Sequence, residues 1–295
     1  MRILITGSNG FLGHYLIHQL LETDHVIIAT GRGENRLSFP STTFFEYKQM
    51  DFTNDDEVKS VFENSKPDVV IHCGAMSKPD ECELYKEKAY LVNVTGTEIL
   101  LKHAGSVKSH FIFLSTDFVF NGLKGMYTED DATDPVNYYG QTKVIGEKLV
   151  TKYPFDWTIV RTILVYGKPL SGKDNILTVV RKKIENGEVY RVFDDQERTP
   201  TYVEDLAKAI LKIISKKATG IFHISGKEKF TPYELAVKTA EYLNIERSLL
   251  IKAKKGDFPE PAIRPPKTGF NISKAERILD YTPIDFSEGL KKTFL

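Results

Sequence analysis

Three groups of residues in this 295-residue chain have types and spacing suited to chemistry. Tyr139 and Lys143 stand four apart in Tyr139-Gly140-Gln141-Thr142-Lys143. At a helix start, that spacing stacks the two side chains on one face. A free phenol titrates near ~10. An ammonium beside it stabilises the phenolate and brings proton exchange toward neutrality, although the same spacing also suits a plain surface pair. Tyr138 lacks such a partner, because Thr142 stands four residues on. Upstream, Thr116 sits in Ser115-Thr116-Asp117-Phe118-Val119-Phe120-Asn121-Gly122, at the carboxyl end of a strand-like run. Open α/β sheets bind ligands at such ends, so its hydroxyl either shares a substrate oxygen with Tyr139 or closes a turn.

The third group is Gly7-Ser8-Asn9-Gly10-Phe11-Leu12-Gly13, with glycines three apart after the first strand-like run. Such a loop lets the backbone approach a pyrophosphate while the next helix aims its N-terminal amides at the anion; the alternative is a tight strand-to-helix turn with no ligand. On the first of these readings Gly7, Gly10 and Gly13 are the positions of close approach. At the end of the second run, Ala29-Thr30-Gly31-Arg32-Gly33 carries no acid to grip ribose hydroxyls. Arg32 there suits a 2′-phosphate, which favours NADP(H) over NAD(H), or it is a solvated loop arginine. Ser8 and Asn9 offer neutral contacts beside it.

These groups need elements to hold them. Short apolar runs at Arg2–Thr6, Val26–Thr30, Phe44–Gln49, Val69–Cys73, His110–Ser115 and Thr158–Val165 alternate with helical stretches at Phe11–Glu22, Asp55–Ser65, Leu84–Ala104 and Tyr138–Lys152. Several runs are apolar throughout, as strands covered on both faces require. The rhythm predicts an α/β fold, a Rossmann-like doubly wound parallel sheet with a smaller C-terminal substrate-binding α/β region. The expected division is 1–168 for the dinucleotide and 169–295 mainly for substrate, with a segment near 190–225 returning to the sheet. Gly167–Lys173 reads as a loop. Beyond it come helices near Asn175–Asn186, Val203–Ser215 and Pro232–Leu243, strands at Tyr190–Phe193 and Ile221–Ile224, and a last helix from Ser273. Thr231 is the expected N-cap of the helix that opens at Pro232.

Lysine plus arginine and aspartate plus glutamate are 40 each, so zero net charge argues against broad capture of nucleic acid or an anionic membrane. Cys73 and Cys82 are too few for a disulfide framework, and no His/Cys cluster has zinc spacing, so no metal is expected. With no membrane-length apolar stretch and no signal-peptide layout ahead of Arg2–Thr6, a cytoplasmic protein is expected.

Taken together, the glycine loop, Thr116 and the Tyr139–Lys143 pair resemble the extended short-chain dehydrogenase/reductase family over nearly the whole chain. Within it, Ser115–Gly122 resembles the STDYVFDG segment of dTDP-4-dehydrorhamnose reductases, and Tyr139–Glu147 matches their YGxTKxxGE. Arg161-Thr162 with Val165-Tyr166, Pro200-Thr201 with Asp205-Leu206-Ala207, and Arg264-Pro265-Pro266-Lys267-Thr268 are similar too. The resemblance implies a reductase of a nucleotide-linked 4-keto-6-deoxy sugar. Tyr139 would be the proton donor, Lys143 its electrostatic partner and nicotinamide-ribose ligand, and Thr116 the carbonyl anchor. Gly7, Asn9, Gly10, Phe11, Leu12 and Gly13 would bind the cofactor at its pyrophosphate, Asp51 and Phe52 would edge the adenine, Gly74 and Ala75 would lie under the cofactor, and Asn93 would support the site or be satisfied locally. Asp117 and Arg264 would face substrate, with a rim ion pair the other reading of Arg264. Phe118 stands where the family has tyrosine, and Leu164 where rhamnose-forming members carry an aromatic. The alternatives are a sugar-nucleotide epimerase or dehydratase, which typically carries Asp-Glu where this chain has Asp117-Phe118, and a non-catalytic NADP-binding regulatory subunit. The expected partner is a nucleotide sugar, and a homodimer stays open.

Overall fold

The computed structural model describes residues 1–170 and 174–295. In chain order the first part runs β1 (Arg2–Thr6), α1 (Phe11–Leu20), β2 (Val26–Gly31), β3 (Phe45–Gln49), α2 (Asp55–Ser65), β4 (Val69–His72), α3 (Pro79–Leu84), α4 (Lys86–Tyr90), a π-helical turn (Leu91–Thr95), α5 (Gly96–Ser106), β5 (His110–Thr116), α6 (Tyr138–Val150) and β6 (Trp157–Thr162). The second part runs β7 (Val165–Tyr166), α7 (Ile176–Glu185), β8 (Tyr190–Phe193), β9 (Thr201–Tyr202), α8 (Val203–Lys216), β10 (Gly220–Ile224), α9 (Pro232–Leu243), β11 (Leu250–Ala253), α10 (Ser273–Leu279) and α11 (Phe286–Phe294).

Seven strands form one parallel sheet in the order β10-β6-β5-β4-β1-β2-β3. Successive side chains explain why its strands read as unbroken apolar runs. Ile3 and Ile5 of β1 pack with Leu16 and Ile17 of α1 and Leu206 and Ile210 of α8. Leu4, between them, packs on the opposite face with Val58 and Phe62 of α2, Leu100 of α5 and Phe111. Both faces are covered, so period-two alternation is lost. The strand order reverses between β1 and β4, which opens a crevice at their carboxyl ends.

Two expected elements divide. The run Thr158–Val165 breaks at Leu164, whose φ of 36° is left-handed. The break peels β7 off the main sheet to pair with β9. The stretch Leu84–Ala104 is interrupted at Tyr85, which is non-helical, and helix already begins at Pro79. Gly220–Ile224 joins the main sheet beside β6, whereas Tyr190–Phe193 pairs with β11 in a separate two-stranded sheet. Thr231 caps α9 in a capping box with Glu234. Residues 171–173 of the expected Gly167–Lys173 loop lie outside the described residues. No helix among the described residues is long and apolar enough to cross a membrane.

Candidate active site

The glycine loop joins β1 to α1 at the crevice. Gly7 has φ of +68°, and a Cβ there would meet the Gly74 nitrogen at 2.8 Å; at Gly13 it would meet the Gly7 carbonyl at 2.7 Å. Neither position has room for a side chain. Gly10 caps α1 with no side-chain hydrogen bond, and the first turn holds no acid. Its leading amides are therefore free for an anion. Ser8 is fully buried and donates to the Thr30 carbonyl at 2.9 Å, so it offers nothing to a ligand. The Asn9 amide donates to the Glu34 carbonyl at 2.9 Å and to the Tyr47 hydroxyl at 3.0 Å, which ties down the loop carrying Arg32.

From this loop one cavity of about 1320 Å³ runs to Arg264. It is lined by every residue assigned above to cofactor, proton transfer or substrate, Ser8 and Asn93 excepted. Asn93 is buried on the π-helical turn, accepts from the Met76 N–H at 2.8 Å and donates to Thr142 at 3.0 Å. It fastens α6 to the cavity wall at Met76.

Asn137 caps α6, accepting from the Gly140 N–H at 2.9 Å. That cap starts the helix where Tyr139 and Lys143 point to the floor of the cavity. Tyr139 is buried edge-on against Phe118, with ring centroids 5.9 Å apart. Burial pushes its phenol well above the ordinary value, the Thr116 hydroxyl opposing in part. Lys143 is also buried, its Nζ 3.9 Å from the Phe113 ring centre. Burial pushes it down to about 8, the Glu147 charge opposing. Burial is the leading influence on both groups and opposes the charged form of each. The phenol therefore stays protonated near neutral pH.

Thr116 ends β5, donates to Asp117 at 3.0 Å and accepts from the Phe118 N–H at 3.3 Å. Asp117 borders the cavity but is bound inward. Thr268 donates to its second oxygen, and the Arg198 Nε lies 3.6 Å away. Burial raises the Asp117 carboxyl, against the pull of Arg198 and the hydroxyl donors. Arg198 in turn donates to the carbonyls of Pro265 at 2.7 Å and Pro266 at 3.1 Å. Arg264 is likewise engaged, with both terminal nitrogens on the Asp80 carboxylate and Glu260 at 3.2 Å. The ion-pair reading thus describes Arg264 at rest, although it still borders the cavity.

The cavity also takes in Arg36, Gln196 and Arg198, which the motifs did not single out. Arg36 lies four residues beyond Arg32, and charge sign alone could have flagged it. Arg198 carries no local signal, since its partners come from distant segments.

A glycine loop at the switch point of a parallel sheet, with a Tyr–Lys pair on the helix after β5, defines the extended short-chain dehydrogenase/reductase type of NAD(P)-dependent oxidoreductase. The chain belongs to the family described as RmlD substrate binding domain, whose model matches residues 1–295. It is 34% identical over 251 residues to the spore coat polysaccharide biosynthesis protein SpsK of Bacillus subtilis, covering 84% of this chain and 82% of that one. It is 31% identical over 281 residues to the methionine adenosyltransferase 2 subunit beta of Danio rerio, covering 93% and 84%. The crystal structure of dTDP-4-dehydrorhamnose reductase from Bacillus anthracis in complex with NADP superposes with a TM-score of 0.84 at 28% identity, covering 99% and 98%.

Proposed function

We propose that this protein is an NADPH-dependent reductase of a nucleotide-linked 4-keto-6-deoxy sugar, acting in the cytoplasm. The observation that carries the proposal is the convergence of a protonated, buried Tyr139, a Thr116 hydroxyl and the buried Lys143 on one cavity that begins at a side-chain-free glycine cradle. The residues fit a dinucleotide. Gly7, Gly10, Gly13 and the α1 amides would hold the pyrophosphate, Arg32 and Arg36 the 2′-phosphate, and Lys143 the nicotinamide ribose. When bound, that cofactor supplies the hydride. Tyr139 gives its proton to the carbonyl oxygen as negative charge develops there. Lys143 would stabilise the tyrosinate left behind, and Thr116 would anchor the carbonyl oxygen beside the phenol. Substrate placement falls to the wall of Phe118, Leu164 and Arg264. The test is NADPH oxidation with a panel of nucleotide-linked 4-keto sugars.

The match to a methionine adenosyltransferase subunit favours a second reading, a dinucleotide-binding subunit without turnover. Binding of NADPH with no oxidation on any keto sugar, together with tight association with another protein, would select it. A dehydratase is disfavoured because Phe118 stands where a second acid is needed.

A further inference from the structure

The buried face of α6 carries a third ionisable residue, Glu147, four residues beyond Lys143. It lies outside the cavity lining, so it touches no ligand. Both its oxygens are engaged. One accepts from Ser115 Oγ at 2.6 Å and Arg161 Nε at 2.9 Å, the other from Arg161 Nη2 at 2.7 Å. Arg161 is held from behind by Phe120, whose ring centre lies 5.1 Å away, and by His223 Nε2 at 3.3 Å. His223 donates from Nδ1 to the Tyr127 carbonyl at 3.0 Å, which leaves Nε2 as the acceptor for Arg161.

Resting on the reading of Lys143 as part of the cofactor and proton site, we propose that Glu147, clamped by Arg161 and Ser115, is a positioning residue that keeps the Lys143 side chain charged despite its burial.

The titratable and charged groups around Lys143 are Tyr139 and Glu147 on α6, His72 and Cys73 at the end of β4, Cys82 on α3, and Arg161 on β6 behind Glu147. Burial leaves most of them neutral. It holds His72 down at about 3 and the thiols of Cys73 and Cys82 up at about 12 and about 11, and it raises the Tyr139 phenol. Glu147, one helical turn from Lys143 on the same buried face and ion-paired with Arg161 rather than with Lys143, is thus the carboxylate nearest along α6, with Arg161 as its counter-ion. Coulomb's law then fixes opposite signs for the two partners. Removing the carboxylate lets burial drive Lys143 neutral. Removing the guanidinium leaves the carboxylate, still held by Ser115, with no cation among the described residues but Lys143 to offset it.

The experiment is an NMR titration of isotope-labelled lysine side chains in the cofactor-free protein, with Lys143 assigned by its loss in Lys143→Arg. The native midpoint is expected at about 8. Glu147→Gln should lower it by about one pH unit or more, and Arg161→Met should raise it. If either single variant fails to fold, the neutral pair Glu147→Gln with Arg161→Met decides, with a midpoint below the native one but above that expected for Glu147→Gln alone. A purely structural role would reduce melting temperature in every variant and leave the midpoint in place. That result, or movement of both single variants in one direction, overturns the proposal. Because the titration needs no turnover, failure of the reductase reading would show separately, as absent NADPH oxidation by a protein whose midpoints still move.

Discussion

The Oδ1 of Asn9 accepts the backbone N–H of Arg36 at 3.0 Å. Through this bond the glycine loop fixes the segment that presents Arg32 and Arg36 to the same end of the cavity. If these two guanidiniums meet a 2′-phosphate, they select for it. Both side chains are exposed, so each contributes at the low end of a charge-assisted hydrogen bond, about tenfold in affinity. Arg32→Ala and Arg36→Ala should each weaken NADPH by about that factor and spare NADH, as read by titrating both cofactors. Equal losses for the two cofactors would remove these residues from the phosphate pocket.

Tyr139→Phe deletes the phenolic proton and almost no volume. Reduction should fall by at least ~100-fold while cofactor affinity holds. Tyr138→Phe should be mild, because Tyr138 points away, its ring beneath the Lys86 ammonium at 5.4 Å. A variant pair with the reverse ranking would show that the proton donor is Tyr138.

Lys143 titrates at about 8 in the fold against an ordinary 10.5. Between these values the unfolded chain binds more protons, so this group's contribution to stability rises with pH across that window and is least favourable below it. The depression corresponds to about 3 kcal/mol. Cofactor-free Lys143→Met should therefore be more stable than the native protein at neutral pH, by up to that amount. The gain should shrink as pH rises through the window. Denaturant unfolding at neutral and alkaline pH measures both; a variant destabilised at neutral pH would contradict the sign.

Arg264, on the cavity wall, is paired with Asp80 at rest. If it exchanges that partner for a substrate phosphate, Arg264→Ala should raise the sugar-nucleotide KM about tenfold and change kcat less, since a remote contact is largely uniform binding. Steady-state kinetics that leave KM unchanged would reduce Arg264 to a tether of the 260–266 segment.

Much of the sheet was legible because residues such as Ile3, Leu4 and Ile5 are apolar on both faces, a local signal. The Tyr139–Lys143 and glycine-loop spacings were legible for the same reason, as the first lies within α6 and the second within one strand–turn–helix unit. What escaped is set by distant contacts. Leu164 turns left-handed because Ile163 and Leu164 give their carbonyls to the Thr201 N–H, at 3.1 and 3.3 Å. Asp117 is turned inward by Arg198 and Thr268, which no spacing around Thr116 announces. The depression of Lys143 likewise depends on the apolar walls that fold around it.

The most direct measurement is NADPH oxidation by the native protein and by Tyr139→Phe, with a dTDP-linked 4-keto-6-deoxy sugar as acceptor. The predicted result is one NADPH consumed per keto group reduced, with turnover almost lost in Tyr139→Phe and cofactor binding intact in both. The contradicting result is a native protein that binds NADPH tightly, consumes none with any nucleotide-linked 4-keto sugar, and is unaffected by the loss of the Tyr139 hydroxyl.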